Sequence, residues 1–453
     1  MHGDVASTSR SSAEVRVDTA ARTAAGDDFG HLVHHTPRMV VLPRSADDVA
    51  AAIREAGPLG MQVAAQGSRH SVWGRSQVRD GIVIDMSTLA EIRSVEADRV
   101  TVDAGATWSD ILAATLPVGL TPQVVPEYLG LSLGGTLAVG GVGGTTSTFG
   151  LVSDTVTELE VVTGRGELLT CSPARNADLF DAVRAGLGQC GVITRATLRR
   201  VAAPREVRRF LLSYPTLAAM VRDSRRLAGD DRFDVVKGAI LPAAAGGWTF
   251  QLDVASGFTG PAPDDGILLD GLSDDPALRQ PTSMAYLDHL GRLAALEEAL
   301  RADGRWASPH PWLTTFVGDT AVESVVSAEL DRLDAPADLG RFGQVVLSPI
   351  RTRAVTSPLL RLPPEPLCHA FNLIRLPGTD DPAAAERLVE ANRAIYHRVR
   401  DTGSTLYPAS AALPLTPAEW RDHFGPLFEL LCEAKERFDP DMLLTPGYEI
   451  FTS

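Results

Sequence analysis

The chain has 453 residues, 44% hydrophobic and 22% charged, with a formal net charge of −15. That length allows two domains with sizeable cores, and the acidic balance argues against nucleic acid or an anionic membrane surface as the main partner. Four cysteines, Cys171, Cys190, Cys368 and Cys432, are scattered without CxxC spacing, so neither a zinc site nor a disulfide framework is expected.

Residues 1–28 are polar and lack the apolar core of a secretory signal. No apolar run of about eighteen residues offers a membrane span. The expectation is a cytoplasmic protein with a frayed leader. Val40-Val41-Leu42-Pro43 reads as a short strand, and Ser45 as the N-cap of a helix over Ala46–Ala56. Met61–Ala65 reads as a buried strand. It runs into Gln66-Gly67-Ser68-Arg69-His70-Ser71, a small-residue turn that lets backbone approach a ligand and carries a histidine. Short strands are expected at Gly81–Asp85 and Val100–Asp103, and a helix over Trp108–Leu116.

A second glycine-rich stretch covers Leu133–Gly144. Two such turns in one domain suggest a cradle for a phosphate-bearing cofactor, because loop N–H groups form anion-binding concavities. A Rossmann reading fails: Gly141-Val142-Gly143-Gly144-Thr145-Thr146 lacks the last glycine of the fingerprint. No Walker A pattern occurs.

Strands are expected at Leu159–Thr163, Val192–Val201, Arg209–Ser213 and Thr249–Val254. Helices are expected over Met284–Ala302, Asp381–Thr402 and Trp420–Arg437, with a loop and strand over Phe438–Phe451. Strands and helices alternate without a regular repeat, which points to α+β. A composition shift at Ala202-Ala203-Pro204-Arg205 marks a domain boundary.

The Gly-Ser-Arg-His-Ser turn, Val102–Asp110, Glu127–Leu137, Glu158–Gly164, Asn176–Phe180 and Gly186–Thr194 resemble, in this order, the vanillyl-alcohol-oxidase/p-cresol-methylhydroxylase superfamily. Tyr286–Leu290, Pro309–Leu313 and Phe438–Phe451 narrow the resemblance to cytokinin dehydrogenase. It covers residues 25–453. It implies a two-domain α+β flavoprotein: a p-cresol-methylhydroxylase-type FAD domain from residues 1–203, a sheet-and-helix substrate domain over 204–404, and a C-terminal return to the FAD domain over 405–453.

The resemblance also implies roles. FAD is expected covalently on His70, with Gly67, Ser68, Arg69, Ser71, Ser132, Gly135, Thr136, Ala138, Gly141, Val142, Ile193, Thr445 and Tyr448 around it. Residues 129–150 hold no cysteine, so a single histidyl link is expected. Glu127 stands where cytokinin dehydrogenases carry the aspartate that takes the substrate proton. The alternative is a solvated loop carboxylate. Lys237 stands where they carry a glutamate for the purine; it either faces the ligand, favouring an anionic partner, or faces water. Residues 350–358 also lack the pattern of tryptophan and acidic residue of the cytokinin pocket. Tyr407 matches a tyrosine near the flavin. His310 and Trp312 could touch a substrate or form a rigid structural corner, the corner being the favoured reading.

The implied activity is removal of hydride from a C–N or C–O carbon of a small organic substrate, in specialised metabolism, with molecular oxygen or another electron acceptor. Two alternatives stand beside it: a cytokinin dehydrogenase with a drifted pocket, and a scaffold that binds flavin and ligand without turnover. No metal is expected, and the oligomeric state is left open.

Overall fold

Three sheets, two small and one large, set the layout of the chain; the computed structural model describes residues 13–378 and 383–451. The first sheet has the order Glu14–Arg16, Met39–Leu42, Ile82–Asp85, Val63–Gln66, its last three strands parallel. The second runs Ile92–Val95, Arg99–Asp103, Val192–Ala202, Val156–Val162, Leu168–Cys171, with Leu120–Pro122 pairing the far end of the long central strand. The third is an eight-stranded antiparallel sheet built wholly from residues after Arg205. Sheet membership therefore changes between Ala202 and Glu206, where the composition shifts.

Local signals explain several elements. The helix Ala46–Ala56 starts where Ser45 Oγ accepts the Asp48 N–H at 3.2 Å, places Asp47 and Asp48 at its positive end, and stops at Gly57-Pro58. It buries Val49, Ala52, Ile53 and Ala56. The helix Trp108–Thr115 carries a reciprocal capping box between Thr107 and Asp110. In Val192–Ala202 the alternation of buried and half-buried residues sends Arg195 outward to Asp103 and Glu160.

Other expectations give way. The described part of the leader is not frayed: Glu14–Arg16 pairs with Met39–Leu42, and Asp18 caps a helix over Thr19–Ala25. The helix expected over 284–302 is divided. Gln280–Ala285 is an edge strand, and two helices, Tyr286–Leu290 and Ala294–Ala302, follow around Gly291. Gly425-Pro426 likewise divides the expected 420–437 helix into Pro417–Phe424 and Leu427–Phe438. The helix expected from Asp381 runs over Ala384–Arg400, and its first two expected residues lie outside the described residues.

The terminal segment forms no strand; it makes one isolated parallel bridge, Val63 to Leu444. Thr445 N–H donates to Val63 O at 2.8 Å, so the segment does return to the first sheet. A buried pair anchors it: Lys435 Nζ lies 2.7 Å from Asp439 Oδ2 and also donates to Gln189 O and Leu444 O. Thr405–Ala411, assigned from the sequence to this return, is instead the edge strand of the large sheet, paired with Leu313–Gly318. It pairs along one side with that neighbour, so the crossing follows it.

Candidate active site

The two turns that follow Val63–Gln66 and precede Leu133–Ala138 meet in space. Ser68 Oγ donates to Gly130 O at 2.6 Å, and a Cβ placed on Gly67 would lie 1.9 Å from Ser132 Oγ. Only glycine permits that approach. Gly141, at φ +76°, is constrained in the same way, since a Cβ there would lie 2.3 Å from Thr136 Cγ2. Together the turns form one side of a cavity of about 460 Å³.

The turn carrying His70 is held from behind. Gln66 Nε2 donates to Ala25 O and Ser76 O at 2.7 and 2.9 Å. The buried Asp28 carboxylate accepts from Ser71 Oγ at 2.8 Å, Gly74 N at 2.7 Å and Gly30 N at 3.0 Å. Burial outweighs these hydrogen bonds and pushes its pKa up to about 6. The His70 imidazole stacks between Phe29, 3.9 Å between ring centroids, and Tyr128, 4.6 Å. Burial, with a smaller effect from His310, lowers its pKa to about 3, so the ring is neutral at physiological pH.

Behind Phe29 stands His310, stacked at 3.9 Å and donating from Nδ1 to Phe29 O at 2.6 Å. His310 is fully buried and lies outside the cavity lining. Trp312 reaches the cavity wall, while its indole N–H donates to Arg375 O at 3.1 Å.

Glu127 lies in the loop leading into the second turn, next to Tyr128. Its Oε2 is 2.6 Å from Lys237 Nζ and its Oε1 is 2.6 Å from Arg292 Nη2. Burial alone would raise its pKa, but Lys237 and Arg292 together hold the carboxylate below its ordinary range. Lys237 faces the cavity rather than water, its side chain 17% exposed.

All the predicted positions line this one cavity: Gly67, Ser68, Arg69, His70 and Ser71; Ser132, Gly135, Thr136 and Ala138; Gly141 and Val142; Ile193; Thr445 and Tyr448; Glu127, Lys237 and Tyr407. The Thr136 hydroxyl is committed internally, accepting from Trp108 Nε1 and donating to Ser132 O, so only its other atoms are free to meet a ligand. Tyr407 packs edge-on to Phe316.

Sequence reading missed Asp28, Phe29, Tyr128 and Arg292. It also missed Arg75, a buried cation of the wall whose Nε has no partner, and Asn372, a wall residue of the large sheet with an unpartnered Oδ1. The Gly74-Arg75 pair, one turn past His70, was the available signal for Arg75; nothing local distinguishes the others. Unsatisfied buried polar atoms around close-packed glycines are what a polar, anionic cofactor would complete. Among the described residues no cluster of His, Cys, Asp and Glu could hold a metal ion, and no helix is long and apolar enough to cross a membrane.

Comparison with known proteins bears on the same residues. Residues 37–172 match the FAD binding domain family, and residues 266–451 match the family described as cytokinin dehydrogenase 1, FAD and cytokinin binding. The chain is 39% identical to an uncharacterized oxidoreductase of the fasciation locus of Rhodococcoides fascians, covering 96% of this chain and 98% of that protein. It is 31% identical to cytokinin dehydrogenase 10 of Oryza sativa subsp. japonica, covering 97% and 88%. Its fold matches the crystal structure of 6-hydroxy-D-nicotine oxidase from Arthrobacter nicotinovorans, with TM-score 0.73, 20% identity and 98% of each chain covered. With an FAD-binding domain ahead of a cytokinin-dehydrogenase-type second half, and relatives matched over nearly its whole length, the chain belongs to the FAD-dependent oxidoreductases of the cytokinin dehydrogenase family.

Proposed function

We propose that this oxidoreductase removes hydride from a carbon bearing nitrogen or oxygen in a small organic molecule of specialised metabolism, and passes the electrons to molecular oxygen or another acceptor. The observation that carries the reading is the Glu127–Lys237 ion pair in the wall of the cavity that holds His70, with Arg292 gripping the other carboxylate oxygen from behind that wall. FAD, when bound, supplies the hydride-accepting ring. Residues up to 203 and from about 412 hold it; residues 204–411 cover the reacting face.

His70 is the attachment point. Its neutral ring, sandwiched by Phe29 and Tyr128, is in the nucleophilic form and fixed in orientation. The glycine turns around Gly67 and Gly141 receive the phosphates, with Thr445 and Tyr448 closing from the C-terminal segment. Glu127 accepts the hydrogen bond, and then the proton, of the substrate N–H or O–H. Each carboxylate oxygen has a lone pair beyond the one used by Lys237 or Arg292. Its depressed pKa keeps it ionised, which serves proton acceptance from a heteroatom growing more acidic as hydride departs. Lys237 and Tyr407 define the substrate side, together with Asn372.

The second reading, a cytokinin dehydrogenase, is favoured by the match over residues 266–451. Lys237 weighs against it, since its ammonium replaces a purine-binding carboxylate. An anaerobic screen of amines, alcohols and isopentenyladenine, following flavin bleaching, decides between them. Bleaching by none of these classes rejects both.

A further inference from the structure

A second cavity, of about 370 Å³, adjoins the first. Pro126, Glu127, Gly144 and Val235 line both and form the partition. Lys237 lines only the large cavity and Arg292 only the second, so Glu127 is gripped by one cation from each side. One part of the second cavity's wall is apolar, with Val125, Val207, Phe258 and Leu290, and the rest is polar, including Thr121, Thr145 and Tyr286. His289 interrupts it. This residue is 3% exposed and its Nδ1 has no hydrogen-bond partner. Burial lowers its pKa to about 4, so it is a neutral ring awaiting a hydrogen bond.

The charges of the Glu127–Lys237–Arg292 triad do not balance. One carboxylate faces two cations, each with a side chain only 17% exposed. Asp253, the cross-strand neighbour of Lys237, is taken by Arg209 at 2.7 and 2.9 Å. Asp234 lines the second cavity from an exposed position and accepts from Gly257 N. Among the described residues neither Lys237 nor Arg292 has another carboxylate partner. A buried charge in excess is costly until a counter-ion arrives.

We propose that the second cavity binds a small aromatic carboxylate, distinct from the molecule oxidised in the large cavity, through Arg292 and His289. The carboxylate completes the charge balance, the ring covers the apolar wall, and His289 gains its missing hydrogen bond. Binding has a consequence for Glu127. A guanidinium shared with a second carboxylate holds Glu127 less firmly and leaves it the stronger base. The binding claim stands on the cavity and Arg292; only the coupling rests on the role proposed for Glu127.

Benzoate and its uncharged counterpart benzyl alcohol, titrated calorimetrically into the flavin-loaded protein, test this. One benzoate should bind per chain, with benzyl alcohol at least tenfold weaker. Arg292→Gln should weaken benzoate at least tenfold; it leaves the Glu127–Lys237 pair neutral, so the fold is expected to hold. Val201→Trp takes up cavity space from the end of its strand, and Val201 itself makes no hydrogen bond or ion pair with the triad. The substitution should weaken benzoate equally, with flavin reduction in the absence of benzoate within twofold of native. Benzoate should also shift the acid limb of the flavin-reduction profile to higher pH. No binding to the native protein overturns the proposal. So does binding that perturbs the flavin spectrum and survives Val201→Trp, because it places benzoate in the large cavity. Binding as expected, combined with native flavin reduction by Glu127→Gln, upholds the site and removes only the coupling.

Discussion

Lys237 Nζ lies 2.6 Å from Glu127 Oε2, joining a strand of the eight-stranded sheet to the loop that leads into the second glycine-rich turn. The contact makes the carboxylate a shared property of both halves of the molecule. It also decides how a Glu127 variant should be read.

Glu127→Gln should lower the anaerobic flavin-reduction rate by about 10²–10⁴-fold, the usual contribution of a general base, with flavin content unchanged. The variant also strips the partner from two half-buried cations, a loss that destabilises folding by itself. Adding Lys237→Gln restores the native net charge of the triad. The double variant should regain stability in urea but not the reduction rate. Recovery of the rate would assign Glu127 a structural role only.

Isopentenyladenine should be a poor substrate. An ammonium facing a purine amino group opposes donor to donor, at about 1–3 kcal/mol per unsatisfied group, or roughly fivefold to 150-fold in rate. Stopped-flow bleaching as fast as by the best substrate found would restore the cytokinin reading.

Flavin should stay with the protein through acid precipitation, and His70→Ala should release it to the supernatant. The variant should still fold and bind FAD reversibly, because the glycine turns are untouched. Peptide mass spectrometry should find an FAD-sized adduct on the fragment containing His70. An unmodified His70 peptide from yellow native protein would refute the link.

Asp28 should impose a pH dependence of the opposite sense to ordinary acid denaturation. Its folded pKa is about 6 against 3.8 in the unfolded chain. Between these values the folded state holds the extra proton, so stability falls as pH rises through the window and levels off above it. The slope is at most about 1.4 kcal/mol per pH unit. Other carboxylates superimpose their own trend, so the readout is the difference between native protein and Asp28→Asn. Relative to the variant, the native protein should be more stable at pH 4 than at pH 7.5 by urea unfolding. A constant difference would show that Asp28 does not titrate in this window.

Much of the cofactor side was legible in the sequence because its signals are local. Ser45 caps its own helix, alternation within Val192–Ala202 names its two faces, and the residues of the Gly67–Ser71 turn are contiguous. Such features depend on dihedral preference and hydrophobic period over a few residues. The same locality misled where breakers were weak. A helical pattern over 284–302 could not show that Gln280–Ala285 would find a sheet edge beside Glu206–Tyr214. Nor could the return of the chain be placed without seeing Thr405–Ala411 paired to Leu313–Gly318. Tertiary structure alone brought Arg292 to Glu127 across 165 residues, and Phe29 against His70 and His310. Those meetings depend on how whole sheets pack, and an isolated arginine or phenylalanine carries no trace of its eventual neighbour. The sequence by itself determined the family and the two glycine-rich turns; packing decided which charges face each other across the cavity.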